Sequence, residues 1–138
     1  MIPSPADLDP NWENKPWIPA GKWIIPIDRI VGSYEKPELF YGDFIPAKGV
    51  DDPHYQWVLN WCKELPENNV DYDYIHLYKL LDCYFIGADG NHRISALKVL
   101  KRKFLLAEIV EVIIEASELE LYKKSSDGPE LPSLPFLQ

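Results

Sequence analysis

Residues 84–97 read Tyr-Phe-Ile-Gly-Ala-Asp-Gly-Asn-His-Arg-Ile-Ser-Ala-Leu. An apolar run stops at Asp89-Gly90, and a helical pattern begins at once. Asp89, Gly90, Asn91, His92 and Arg93 are therefore packed into five residues where a strand hands over to a helix. A helix N-terminus presents unpaired backbone N–H groups and the positive end of the helix dipole. Glycine lets a ligand approach the backbone closely. Arginine adds a two-pronged charged donor, and histidine a further one. Together these are the parts of a phosphate or carboxylate site. Gly90, Asn91, His92 and Arg93 are the candidate ligand contacts. Asp89 and His92 are the candidate catalytic groups, with Asp89 as a general base or a carboxylate for Mg²⁺. Ser33 and Lys36 lie in a loop long enough to fold over such a ligand and join the candidate ligand contacts.

Arg93 heads an apolar stripe made by Leu97, Leu100 and Phe104. A guanidinium on a core-facing stripe needs an anionic partner, because a buried unpaired charge is costly. A ligand phosphate, Asp89, Asp28 and Asp43 all qualify. In the competing reading the segment is plain scaffolding: Asp89 or Asn91 caps the helix and a salt bridge satisfies Arg93.

The elements that must position this junction are legible around it. Pro3, Pro5, Pro10, Pro16 and Pro19 forbid a long helix near the start, so residues 1–22 read as an extended arm pinned by its tryptophans. A short edge strand with a helical turn follows from Trp23. Residues 34–51 form a structured loop. Asp52 and Pro53 open a helix whose buried face is Val58, Trp61, Cys62 and Leu65, and Pro66 stops it. Residues 75–80 and 83–88 read as a hairpin turning at Leu81-Asp82. Residues 91–103 are a helix and 104–114 a strand covered on both faces, with Glu108 and Glu111 marking an open end. The domain thus spans 23–115, followed by an acidic helix and tail over 116–138. The expected class is α/β (α+β): one domain, a mixed sheet with packed helices.

Composition narrows the functions. The chain has 138 residues and a formal charge of −8, which repels a nucleic-acid backbone unless bases cluster. Lys98, Lys101, Arg102 and Lys103 are such a cluster, though a solvated helix end explains them more simply. No apolar run is long enough to span a membrane, and no secretory leader is visible. Two cysteines, Cys62 and Cys83, suit a reducing cytoplasm as core thiols. Three scattered histidines with no cysteine cluster argue against zinc.

The Asp89-Gly90-Asn91-His92-Arg93 box, following the Tyr84-Phe85-Ile86 strand, resembles the ParB/sulfiredoxin superfamily, in particular its ParB-like nuclease domains. Ile27-Asp28-Arg29-Ile30-Val31-Gly32-Ser33 and Asp43-Phe44-Ile45-Pro46 are similar to the start of bacterial ParB-like proteins, and the likeness spans residues 23–114. The resemblance implies a ParB/sulfiredoxin-like fold that binds a nucleotide, ATP or CTP with Mg²⁺, through Gly90, His92 and Arg93. Asn91 stands where sulfiredoxin has its nucleophilic cysteine, so sulfiredoxin chemistry is not expected. Nor does the length leave room for the helix-turn-helix domain of partition proteins.

Overall fold

The computed structural model describes residues 1–114. The acidic helix and tail expected over 116–138 lie outside the described residues. The class is α+β. A five-stranded mixed sheet is built from β1 (Trp17–Pro26), β2 (Ile30–Ser33), β5 (His76–Leu80), β6 (Cys83–Ile86) and β7 (Phe104–Val112). Its spatial order is β1-β7-β5-β6-β2. β1 runs antiparallel to β7 and β5 antiparallel to β6, while β5–β7 and β2–β6 are parallel. A small ribbon of β3 (Phe40–Tyr41) and β4 (Ile45–Pro46) sits within the long loop.

Alternation along the strands divides the core in two. Tyr84 and Ile86 of β6 join Leu77, Leu105, Ala107 and Ile109 beneath α2 (Pro53–Glu64) and α3 (Asn91–Val99). Phe85 faces the other way, with Leu80, Val112 and Trp12. This is the period-two pattern of a sheet covered on both sides. The second face is covered by the N-terminal arm, which carries the one-turn helix α1 (Pro5–Leu8) and a 3-10 turn at Trp12–Asn14.

α2 forms for the reasons legible in its sequence. The Asp52 carboxylate accepts from the Tyr55 N–H at 3.1 Å, Pro53 fills the first turn, and Val58 and Cys62 are buried. Arg102 closes the other end, donating to the carbonyls of Pro66, Leu65 and Cys62. No described helix is long and apolar enough to cross a membrane.

Three expectations are corrected. The sheet begins at Trp17, so six residues assigned to the peripheral arm belong to an edge strand. Residues 30–33 are a strand of their own where a turn ended by Gly32 and Ser33 was expected, and β2 pairs with β6, far along the chain, through contacts that no local pattern reveals. Glu111 does not mark an open end. It is 2% exposed and pairs with Lys79, 3.3 Å away on the neighbouring strand and itself 5% exposed.

A buried pair is costly to break from one side, because the remaining charge stays out of water. Lys79→Met is expected to lower unfolding stability by about 3–5 kcal/mol in urea titration. Lys79→Met with Glu111→Leu should recover part of that loss, because both charges leave together.

Candidate functional site

β6 ends at Ile86, and four residues later α3 begins. Gly90 makes the turn with φ +95°, the left-handed region that favours glycine. A Cβ there would also meet the Ile75 Cδ1 at 3.1 Å. The first turn of α3 receives no side-chain cap. Asp89 turns back to accept from the Gly90 N–H at 2.9 Å. The Asn91 amide oxygen is taken by the Ser33 hydroxyl, which donates to it at 2.6 Å in a fully buried contact. Neither proposed cap acts as one, so the N–H groups that open α3 are left for whatever occupies the space before them.

That space is a cleft of about 700 Å³ between the α3 N-terminus, α2 and the long loop. Gly90, Asn91, His92 and Arg93 line it, as do Asp89 and Lys36. Ser33 does not: it lies buried behind the cleft and holds Asn91 in place. Its expected role as a ligand contact is replaced by that of a positioning residue.

Lys36, Lys48 and Arg93 line the cleft together with His54 and His92, against Asp73 and Asp89 among the described residues. A chain of net charge −8 thus presents a locally basic hollow. His54 and His92 meet edge to face with ring centroids 4.8 Å apart, and Phe40 backs His92 at 5.7 Å. Burial lowers the His92 pKa, and His54, Lys36 and Lys48 push it the same way, with Asp52 opposing. Its imidazole is therefore neutral at neutral pH, one ring nitrogen a donor and the other an acceptor.

Arg93 has internal partners as well. It donates to the Tyr72 carbonyl at 2.6 Å, and its second nitrogen stands 3.8 Å from the Asp89 carboxylate. Asp28 and Asp43, the other proposed partners, act instead on Lys98. The Asp89 side chain is 86% exposed, so this ion pair is open to water and weak.

The remaining candidates separate cleanly. Lys98 donates to the Ile27 carbonyl and lies over the Phe44 ring, and Arg102 is occupied at the end of α2. Of the basic strip, Lys101 and Lys103 alone are exposed to a partner. Cys62 is buried, which pushes its thiol pKa up and makes it a poor nucleophile. Among the described residues no group of three or more His, Cys, Asp or Glu is placed to hold a metal ion.

Sequence reasoning missed much of the cleft wall. Trp57, 66% exposed, and Trp61 line it from α2 beside His54. The signal is present in the sequence, since positions 54, 57 and 61 share one helical face; Trp61 both packs against the core, as expected, and reaches the cleft. Tyr74, 70% exposed, lines the opposite side. Asp73 and Tyr74 both have positive φ, 66° and 53°, an uncommon strain for non-glycine residues that favours functional sites. Of the aromatics in the long loop, Phe40 and Phe44 are core and Tyr34 packs on the far face.

No family model matches the chain, and no curated protein matches it. Its own geometry must carry any functional conclusion.

Two measurements check this description. Gly90→Ala is expected to cost about 1–2 kcal/mol in unfolding stability, through the left-handed backbone alone. His92 binds its proton less readily folded than unfolded. Between the lowered folded value and the ordinary one near ~6.5, the unfolded chain therefore holds more protons, and stability rises with pH. The His92 contribution is complete above that window and falls away as pH drops through it. Urea midpoints from about pH 7.5 to about pH 5 should show this slope, and His92→Phe should reduce it.

Proposed function

We propose that the cleft binds a nucleotide or another phosphate ligand at the Asp89–Arg93 junction. The observation that carries this reading is an uncapped helix N-terminus opening into a basic hollow on an otherwise acidic protein. Backbone N–H groups at the start of α3 take the phosphate oxygens. Arg93, Lys36 and Lys48 supply charge, and His92 supplies a neutral donor. Trp57 and Tyr74 offer exposed rings on which a base can stack.

The reading agrees with the ParB/sulfiredoxin resemblance, which implies ATP or CTP carried with Mg²⁺. Exposed carboxylates at Asp73 and Asp89 suit a metal ion that arrives already bound to a nucleotide and keeps most of its water. Asp89 is also the residue for a general base in any phosphoryl transfer, with His92 beside it. The two free cysteines accord with a cytoplasmic setting.

A second reading is favoured by one specific contact. Arg93 already donates to the Tyr72 carbonyl, as a purely architectural arginine would. In that case the box is scaffolding for a DNA-regulatory or protein-interaction module, and the cleft is incidental.

Calorimetric titration with ATP, CTP, GTP and ADP, with and without Mg²⁺, separates the two. Saturable binding is expected, weakened about tenfold or more by Lys48→Ala or Arg93→Ala. Lys48 is exposed, so its substitution leaves the fold intact. Absence of binding to every nucleotide and to inorganic phosphate would leave the scaffolding reading.

A further inference from the structure

The phosphate reading uses His92 as a hydrogen-bond donor and leaves His54 without a part. The two imidazoles meet edge to face in the cleft, ring centroids 4.8 Å apart, one from the start of α2 and the other from the first turn of α3. Phe40 stands against His92 as well, at 5.7 Å. Among the described residues neither imidazole makes a hydrogen bond or an ion pair. His76, outside the cleft, has the Glu108 carboxylate 3.5 Å away. The cleft pair therefore keeps its ring nitrogens unused, while its rings are held by aromatic contacts.

A covalent phosphoryl transfer needs a nucleophile, and other candidates are occupied. The Ser33 hydroxyl is bound to Asn91, and the Ser95 hydroxyl to the Phe44 carbonyl. Cys62 is buried, which keeps it a thiol. Asp89 holds the Gly90 N–H and faces Arg93. Burial keeps the His92 imidazole neutral; His54, Lys36 and Lys48 act in the same sense and Asp52 opposes. Asp73, Asp89 and Arg93 complete the charged lining of the cleft. A neutral imidazole carries a lone pair on one nitrogen and serves as a nucleophile in covalent catalysis. His92 is also the second residue of α3, so its own backbone N–H is among those that can hold the phosphate oxygens. Nucleophile and anion cradle thus come from one helical turn.

We propose that His92 attacks the terminal phosphate of a nucleoside triphosphate bound in the cleft and is itself phosphorylated. The proposal rests on the phosphate reading of the site. An imidazole nitrogen forms the bond to phosphorus. The bond from phosphorus to the bridging oxygen breaks, and its electron pair leaves on the nucleoside diphosphate. The proton on the far imidazole nitrogen passes to water. Lys36, Lys48 and Arg93 offset charge on the leaving group, and the N–H groups of α3 offset charge on the transferred phosphoryl. His54 is a positioning residue: its ring confines His92 and helps keep it unprotonated.

The test mixes the full-length chain with ATP or CTP radiolabelled at the γ-phosphate, with Mg²⁺, and quenches in alkali from milliseconds onward. Protein-bound label that survives alkali, is lost in acid and maps to the His92 peptide is expected. His92→Gln should abolish it while calorimetry still shows nucleotide binding. Should that variant not fold, the wild-type peptide map decides. Because the attacking imidazole is neutral, the labelling rate should rise with pH and level off. His54→Gln should move that rise to higher pH, since it removes one group that keeps His92 unprotonated. His54 is exposed, so this variant keeps its fold. A profile that does not move would overturn the part given to His54. Bound nucleotide with no protein-bound label at any time, or label that maps to Asp89 or a lysine, would overturn the proposal and leave the phosphate reading standing. Absence of nucleotide binding would overturn both.

Discussion

The hydrogen bond from Ser33 to Asn91 is the constraint on which the cleft depends. It joins the end of β2 to the first residue of α3 across 58 positions of sequence, with both side chains buried. Asparagine near a helix start ordinarily competes to cap it. Here its oxygen is held elsewhere, and the cost of an uncapped helix remains in the fold. Asp89 is diverted likewise, to the Gly90 N–H. Two good capping residues stand at the junction and neither caps. The parallel pairing of β2 with β6 makes this arrangement possible by bringing the two ends to the same side of the sheet.

Electrostatics follows the same division between local and global. The formal charge of −8 describes the whole chain and says nothing of its distribution. Lys36 and Lys48 come from the long loop, His54 from α2, and His92 and Arg93 from α3. The loop runs directly into α2, but α3 lies far along the sequence from both, so the basic hollow is complete only once the fold is formed. Conversely, the basic cluster visible in the sequence, residues 98–103, is partly dissolved by folding: Lys98 and Arg102 are bonded to backbone carbonyls.

Features set by neighbouring residues are legible in the sequence, and those set by distant partners are not. The Asp52-Pro53 start of α2, the hairpin turning at Leu81-Asp82 and the strand-to-helix junction at Gly90 each depend on neighbouring residues, and each was legible. β2 was not, because four residues specify a strand only through the partner they find. Glu111 was misplaced because its compensating charge lies on another strand, 32 positions away. At the cleft, the glycine and charges of the box were legible. The Ser33 contact, the meeting of His54 with His92 and the aromatic wall were not, since each joins separate elements. Trp61 shows the limit of periodicity: the helical stripe places it on the core, where it packs, and says nothing of the hollow that its other side lines.

The N-terminal arm has a mechanical consequence. Ile2 is buried, and the Pro3 carbonyl accepts from the Ser33 N–H at 2.9 Å, so close to Gly32 that a Cβ there would collide with it. Ser33 is the same residue whose hydroxyl holds Asn91. The arm is therefore in series with the cleft. A force applied at the first residues, by a surface tether or an unfoldase, passes through the Pro3 carbonyl to Ser33 until that bond parts, and then runs along the arm to β1. The cleft floor would lose this backing early under such traction, while the five-stranded sheet behind it still resists.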